Sequence, residues 1–330
     1  MSTRMGTRKS VPNMKARLVE VGPRDGLQNE QQTVTTETKL ELIARLGAAG
    51  VSAIEATSFV SPKWIPQMGD HDAIMRSLVK RPGVSYPVLT PNLKGFEAAA
   101  DAGATEVAVF AAASESFSQK NINCSIAESI ARFEPIFEAA KARGIKVRGY
   151  VSCVIACPYE GPIAPQAAAD ISKVLYERGA YEVSLGDTIG VGTPASVERM
   201  LEAVAKLVPV AQLAGHYHDT YGMAVANVYA SWRFGLRSFD SSISGLGGCP
   251  YANGATGNVA TEDVVYLLHG LGADTGIDLE TLVDTSAWIS QRLGREPGSR
   301  VARAMLAKRA TALATSLASS STTQPTKAAA

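Results

Sequence analysis

Eight short runs of apolar and β-branched residues recur along this chain, at Leu18–Val21, Ala53–Ala56, Tyr86–Leu89, Val107–Phe110, Val147–Ser152, Glu182–Leu185, Leu213–His218 and Phe239–Ile243. Stretches with helical spacing separate most of them: Thr36–Ala49, Leu93–Ala102, Ile126–Arg143, Pro165–Arg178 and Pro194–Val208. Strands that alternate with helices are joined by crossovers, so they pair in parallel and need both sheet faces covered. Gly50, Gly103, Gly144, Gly179 and Gly235 stand where such helices would end, since glycine takes the left-handed cap conformation without strain. Eight units predict an α/β fold closed into a (β/α)₈ TIM barrel; an open doubly wound sheet is the rival. Thr261–Gly270 and Asp278–Arg295 read as extra C-terminal helices covering the barrel. The chain then divides into an N-terminal extension (1–15), a barrel domain (16–310) and a tail (311–330). The tail is rich in Ala, Ser and Thr, lacks aromatic residues, and is expected to be disordered.

Composition narrows the function classes. Of 330 residues, 32 are basic and 31 acidic, and no long basic run stands out, which argues against nucleic acid as a partner. No apolar stretch reaches the roughly 18–20 residues of a membrane span. The basic N-terminus has no apolar core of a secretory signal, so a cytoplasmic protein is expected. Four cysteines without Cys-x-x-Cys spacing do not make a disulfide framework or a structural zinc site.

The polar residues gather in three runs. In Gly215-His216-Tyr217-His218-Asp219-Thr220, two of the four histidines sit at i and i+2. On a strand these share one face, so both rings can converge on one cation. Val21-Gly22-Pro23-Arg24-Asp25-Gly26-Leu27-Gln28 brings a guanidinium and a carboxylate, and Gly245-Leu246-Gly247-Gly248-Cys249-Pro250-Tyr251 brings a thiol on a glycine-rich loop. Barrel active sites lie at the carboxyl ends of the strands. Arg24, Asp25, Glu55, Asp187, His216, His218 and Cys249 all fall there.

Asp25 is the natural third ligand, although Asp-Gly also suits a turn. Asn258 could add an amide oxygen or could cap a helix. Two imidazoles with oxygen donors and no thiolate suit Mg²⁺ or Mn²⁺. Arg24 either stabilises an oxyanion or pairs with Glu55 or Glu20; Glu55 either orients Arg24 or binds substrate. Cys249 is either a small buried hydrophobe or a mobile proton donor.

Together these motifs resemble the 3-hydroxy-3-methylglutaryl-CoA lyase family, metal-dependent lyases built on (β/α)₈ barrels. The likeness runs from about Leu18 to Arg295. It takes in Thr57–His71 (TSFVSPKWIPQMGDH), Val88–Ala98 (VLTPNLKGFEA), Lys120–Ser125 (KNINCS), Arg148–Cys153, Ser184–Pro194 (SLGDTIGVGTP) and Gly245–Asp263. The GLGGCPY run is specific to the family, whereas His-x-His is shared more widely.

The resemblance implies cleavage of (S)-3-hydroxy-3-methylglutaryl-CoA to acetyl-CoA and acetoacetate, as in leucine degradation. It implies a divalent cation, Mg²⁺ or Mn²⁺, on Asp25, His216, His218 and Asn258. Arg24 would stabilise the enolate, Cys249 would transfer a proton from a mobile loop, and Asp25 and Glu55 would complete the catalytic set. Gln28, Tyr150, Ser184 and Asp187 would join Arg24 around the acyl-CoA substrate, and the protein would be a homodimer. A longer-branched 3-hydroxy-3-alkylglutaryl-CoA, or Claisen condensation run forwards, stays open beside this reading.

Overall fold

The computed structural model describes residues 14–248 and 257–321. In chain order the strands are β1 (Arg17–Glu20), β2 (Ala53–Ile54), β3 (Thr57–Ser58), β4 (Val88–Leu89), β5 (Glu106–Ala112), β6 (Lys146–Ser152), β7 (Ala156–Cys157), β8 (Gly161–Pro162), β9 (Glu182–Asp187), β10 (Leu213–Tyr217) and β11 (Ser238–Ser241). The short antiparallel hairpin β7–β8 decorates the loop after β6 and stands apart from the main sheet. The other nine form one parallel sheet in the order β2-β1-β11-β10-β9-β6-β5-β4-β3.

That order begins and ends on the same stretch of chain. β2 pairs with β1 through Val19↔Ala53 and Glu20↔Ile54, while β3 pairs with β4 through Thr57↔Val88. Between the two pieces, Glu55 N–H donates to Glu20 O and Ala56 N–H donates to Pro87 O, each at 2.9 Å. Residues 53–58 therefore act as one kinked strand with a neighbour on each side. The ring closes as an eight-stranded TIM barrel, which excludes the open sheet.

The helices are α1 (Thr36–Ala48), α2 (His71–Ser77), α3 (Leu93–Asp101), α4 (Glu115–Ile122), α5 (Ile126–Arg143), α6 (Pro165–Glu177), α7 (Pro194–Val204), α8 (Ala224–Phe234), α9 (Thr261–Gly270), α10 (Leu279–Arg292) and α11 (Arg300–Ser321). Their ends follow local chemistry. Ser125 and Glu128 form a reciprocal capping box at the start of α5, and Gly144 closes its end in the left-handed region. α10 starts one residue later than expected because Asp278 is its cap, accepting from Thr281 N–H. Buried residues at helical spacing, such as Leu42, Ile43 and Leu46 of α1 or Val197, Met200, Leu201 and Val204 of α7, pack against the outward faces of the strands.

The expected tail boundary at 311 falls inside a helix, because α11 continues to Ser321. Alanine is the best helix former, so a run poor in aromatic residues can still be helical while exposed. The N-terminal extension up to residue 13, and residues 322–330, lie outside the described residues.

After α1 the chain turns at Gly50, whose φ is +96°, and a Cβ built there would lie 2.1 Å from Gly276 O. Gly50→Ala should therefore destabilise the protein by more than about 2 kcal/mol, from the positive φ and the backbone collision together. The urea midpoint should fall at constant m-value. An unchanged midpoint would mean that this turn can move away from Gly276 at little cost.

Candidate metal centre and active site

Strand parity decides which side chains meet at the barrel mouth. Along β10, Ala214 and His216 face the lumen while Leu213, Gly215 and Tyr217 face the helices. Tyr217 lies across Gly215, where a Cβ would come within 2.6 Å of its ring, and its hydroxyl pairs with Ser231 Oγ of α8 at 2.7 Å. The tyrosine between the two histidines thus turns away from the site, as expected, and its packing pins the register of the strand.

His216 and His218 consequently point to the same place, their Nε2 atoms 3.3 Å apart. The ligand atoms of Asp25, His216 and His218 all lie within 4.8 Å of one another. Two imidazole lone pairs and a carboxylate at such spacing repel unless a proton or a cation sits among them, so this donor set fits a divalent ion. Burial, reinforced by His216, pushes His218 down to about 4, which keeps it neutral and able to ligate. Burial by itself would raise Asp25, but Arg24 and the two imidazoles more than offset it and hold the carboxyl at about 2. Asn258 is carried to the same place by a backbone bridge to His218, and its Nδ2 donates to Asp25 Oδ2 at 2.8 Å. A half-turn of the amide would present its oxygen there instead.

Arg24 and Asp25 ride on a single π-helical turn, Gly22–Gly26, at the end of β1. Arg24 Nε donates to Glu55 Oε2 at 2.7 Å and Nη1 to Asp25 Oδ1 at 2.6 Å. Of the two glutamates considered as its partner, Glu55 is therefore the one. Glu20 lies behind the turn: its Oε1 accepts from Gly22 N–H and Ile243 N–H, and its Oε2 accepts from Thr261 Oγ1. These bonds tie the turn to the segment after β11 and to the start of α9.

The remaining expected residues divide. The Tyr150 ring lies between the guanidiniums of Arg24 and Arg148, at 5.6 and 5.0 Å, with an edge-on contact to His216. Burial pushes its phenol well up, so it stays protonated. Ser184 is fully buried and donates to Asp240 Oδ2 at 2.6 Å. Asp187 shares the outward face of β9 with Val183 and Leu185. Its carboxylate accepts from Gly192 and Val191 N–H and organises its own loop, within electrostatic reach of His216. Gln28 Oε1 and Glu55 Oε1 are buried without a hydrogen-bond partner among the described residues. Cys249 lies outside the described residues, on 249–256.

Sequence reasoning missed the support beneath His216. Asp240 of β11 accepts from His216 Nδ1 at 3.1 Å and from both terminal nitrogens of Arg148, whose Nε donates to Glu182 at 2.7 Å. An acid at a lumen-facing position of a barrel strand was the available signal.

The chain matches the model of the family described as HMGL-like over residues 15–289. It is 59% identical over 290 residues to the mitochondrial hydroxymethylglutaryl-CoA lyase of Bos taurus, covering 88% of this chain and 89% of the bovine protein. It is 58% identical over 294 residues to the 3-hydroxy-3-isohexenylglutaryl-CoA/hydroxy-methylglutaryl-CoA lyase of Pseudomonas aeruginosa, covering 89% of this chain and 98% of that one. The crystal structure of hydroxymethylglutaryl-CoA lyase from Pseudomonas aeruginosa superposes with a TM-score of 0.87 at 58% identity, over 89% of this chain and 98% of that one.

Glu20 offers a test of the turn that carries Arg24 and Asp25. Burial pushes its carboxyl up to about 7 against the pull of its three donors, from an ordinary value of 4.5. The folded state thus keeps a proton that the unfolded chain releases, and the stability linked to it is full below about 4.5 and lost as pH rises through 7. Glu20→Gln, which keeps an acceptor for the two amides, should gain on the wild type between pH 5 and 8 by up to about 3 kcal/mol. A stability difference that does not move with pH would place the Glu20 carboxyl near its ordinary value.

Proposed function

The chain belongs to the HMGL-like family, and from that premise we propose that Asp25, His216 and His218 hold the cation of a metal-assisted retro-Claisen lyase. The protein cleaves 3-hydroxy-3-methylglutaryl-CoA to acetyl-CoA and acetoacetate. One observation carries the assignment of the site: three ligand atoms within 4.8 Å of one another at the carboxyl end of the barrel, beside a buried guanidinium. Relatives at 58–59% identity that are lyases favour cleavage over condensation.

The reaction removes a proton from the tertiary alcohol of C3, breaks the C2–C3 bond as the C3 ketone forms, and leaves the electron pair on a thioester enolate. Protonation of C2 then completes acetyl-CoA. Bound Mg²⁺ or Mn²⁺ supplies Lewis acidity, which lowers an alcohol's pKa in the way it lowers that of water from 15.7 towards about 7. Arg24 faces the enolate oxygen with a guanidinium that Glu55 fixes in direction and Tyr150 covers. Asn258 completes the ligand set. Cys249, one residue beyond the described Gly248, delivers the proton to C2. Glu55 Oε1 and Gln28 Oε1 keep acceptor capacity for the substrate. In this reading the protein is a cytoplasmic homodimer, the dimer resting on the family likeness; among the described residues no helix is long and apolar enough to cross a membrane.

Chelation should abolish turnover of (S)-3-hydroxy-3-methylglutaryl-CoA, and Mg²⁺ or Mn²⁺ should restore it. His218→Ala should weaken Mn²⁺ binding and leave little activity. Full activity in a preparation shown to be metal-free would overturn the site assignment. Arg24→Met should lower kcat by at least about 10²–10³-fold, the usual cost of one lost oxyanion donor, with KM much less affected. A raised KM at normal kcat would move Arg24 to ground-state binding.

A further inference from the structure

Barrel lumens are ordinarily filled by layers of branched apolar side chains. Here one layer is charged. Arg148 on β6 has no solvent exposure and is held by Glu182 on β9 and by both oxygens of Asp240 on β11. A buried ion cluster of this kind seldom stabilises a fold more than apolar residues of the same volume would, so its presence calls for another reason. The reason is visible at one atom. Asp240 Oδ2 accepts at once from Arg148 Nη1 (3.1 Å), Ser184 Oγ (2.6 Å) and His216 Nδ1 (3.1 Å). Arg148 and Ser184 fix the carboxylate from below and from the side, and its remaining direction is occupied by the imidazole.

We propose that Asp240 is a positioning residue for the metal centre: held by Arg148 and Ser184, it fixes His216 as the Nδ1–H tautomer and aims the Nε2 lone pair at the cation. This rests on the metal-centre reading of Asp25, His216 and His218. A carboxylate has no proton to give here, so the hydrogen of the His216–Asp240 bond belongs to Nδ1 and Nε2 is left as the donor atom. Groups bonded in this way to the far nitrogen of a ligating histidine fix its ring orientation and support metal affinity. No acidic side chain bonds His218 Nδ1 among the described residues, and the Thr188 backbone supplies a polar group against that ring. The two histidines are thus directed by different groups, and a buried carboxylate serves His216.

The test uses the whole chain, metal-free and with Mn²⁺ as the probe. With four histidines, a ¹⁵N-histidine-labelled sample gives a spectrum simple enough to assign, the His216 signals being those lost in His216→Ala. Metal-free wild type, at a pH where its spectrum shows the ring neutral, should show His216 as the Nδ1–H tautomer, whereas an isolated histidine favours Nε2–H. Asp240→Asn should raise the Kd for Mn²⁺ by about 10–100-fold, the usual loss for such a partner, while unfolding stays cooperative. Ser184→Ala keeps the carboxylate and its Arg148 contact, so it should retain the tautomer. An Nε2–H tautomer in the metal-free wild type overturns the proposal whether or not Asp240→Asn folds. So does a folded Asp240→Asn that binds Mn²⁺ as tightly as the wild type. Wild type that binds no Mn²⁺ at all is a different result, and it would remove the metal-centre reading itself.

Discussion

Strand two must satisfy two neighbours at once, and most of the architecture follows from how it does so. β2 pairs with β1, β3 pairs with β4, and the kink between them is spanned by bonds from Glu55 N–H and Ala56 N–H to opposite neighbours. Closure leaves no sheet edge to protect. It also gives each strand an inside and an outside, so alternate residues are committed to a lumen about one side chain deep. The kink places Glu55 at the mouth of that lumen, within reach of the turn that follows β1. A straight strand would have continued the ladder at this point, and Arg24 would have lost its buried partner.

The lumen's charges explain why a divalent ion suits it. Arg24 is matched to Glu55 and Asp25, and Arg148 to Glu182 and Asp240. Each guanidinium thus faces two acids, and the central cluster holds more carboxylates than guanidiniums. Below it, Arg17 and Glu106 add one charge of each sign at the amino end of the barrel. Unbalanced negative charge in a low-dielectric interior is costly, and a cation bound at the mouth offsets it. The ion would therefore do structural service as well as chemical service. This also explains why Asp25 is held ionised while it touches both Arg24 and the imidazoles: its charge belongs to the cluster as a whole.

The alternation of apolar runs and glycine-capped helices made the barrel legible, because parallel strands buried on both faces advertise themselves as continuous apolar runs. The convergence of His216 and His218 was legible for a related reason: they lie two apart at a strand end, and strand parity needs no tertiary information. What escaped was whatever depends on direction across the barrel. Asp187 carries the right chemistry at the right height, yet it is in register with Tyr217 and shares its outward face. Asp240 looked like an ordinary strand residue until β11 was closed against β1 and β10, which brought it beneath His216 and beside Arg148. The choice between Glu20 and Glu55 as the partner of Arg24 likewise turned on which face of its strand each carboxylate occupies. The helical extension of α11 past 311 was hidden by composition, since a sequence without a buried face gives no periodic signal even where alanine favours helix.

The groups at the barrel mouth come from separate elements, and each is fixed by bonds of its own. His216 lies on a strand pinned on both sides and bonds a buried carboxylate, and His218, one residue past the strand, is held by its bridge to Asn258, so both imidazoles are set by the barrel itself. Asp25 and Arg24 come from a single turn whose position Glu20 fixes through three hydrogen bonds. Asn258 is clamped by its backbone bridge to His218. Asn258 is thus as firmly placed as the chain it joins. Charge stabilisation works best from donors already in position, and a guanidinium held by both Glu55 and Asp25, next to imidazoles set by the barrel, meets that condition.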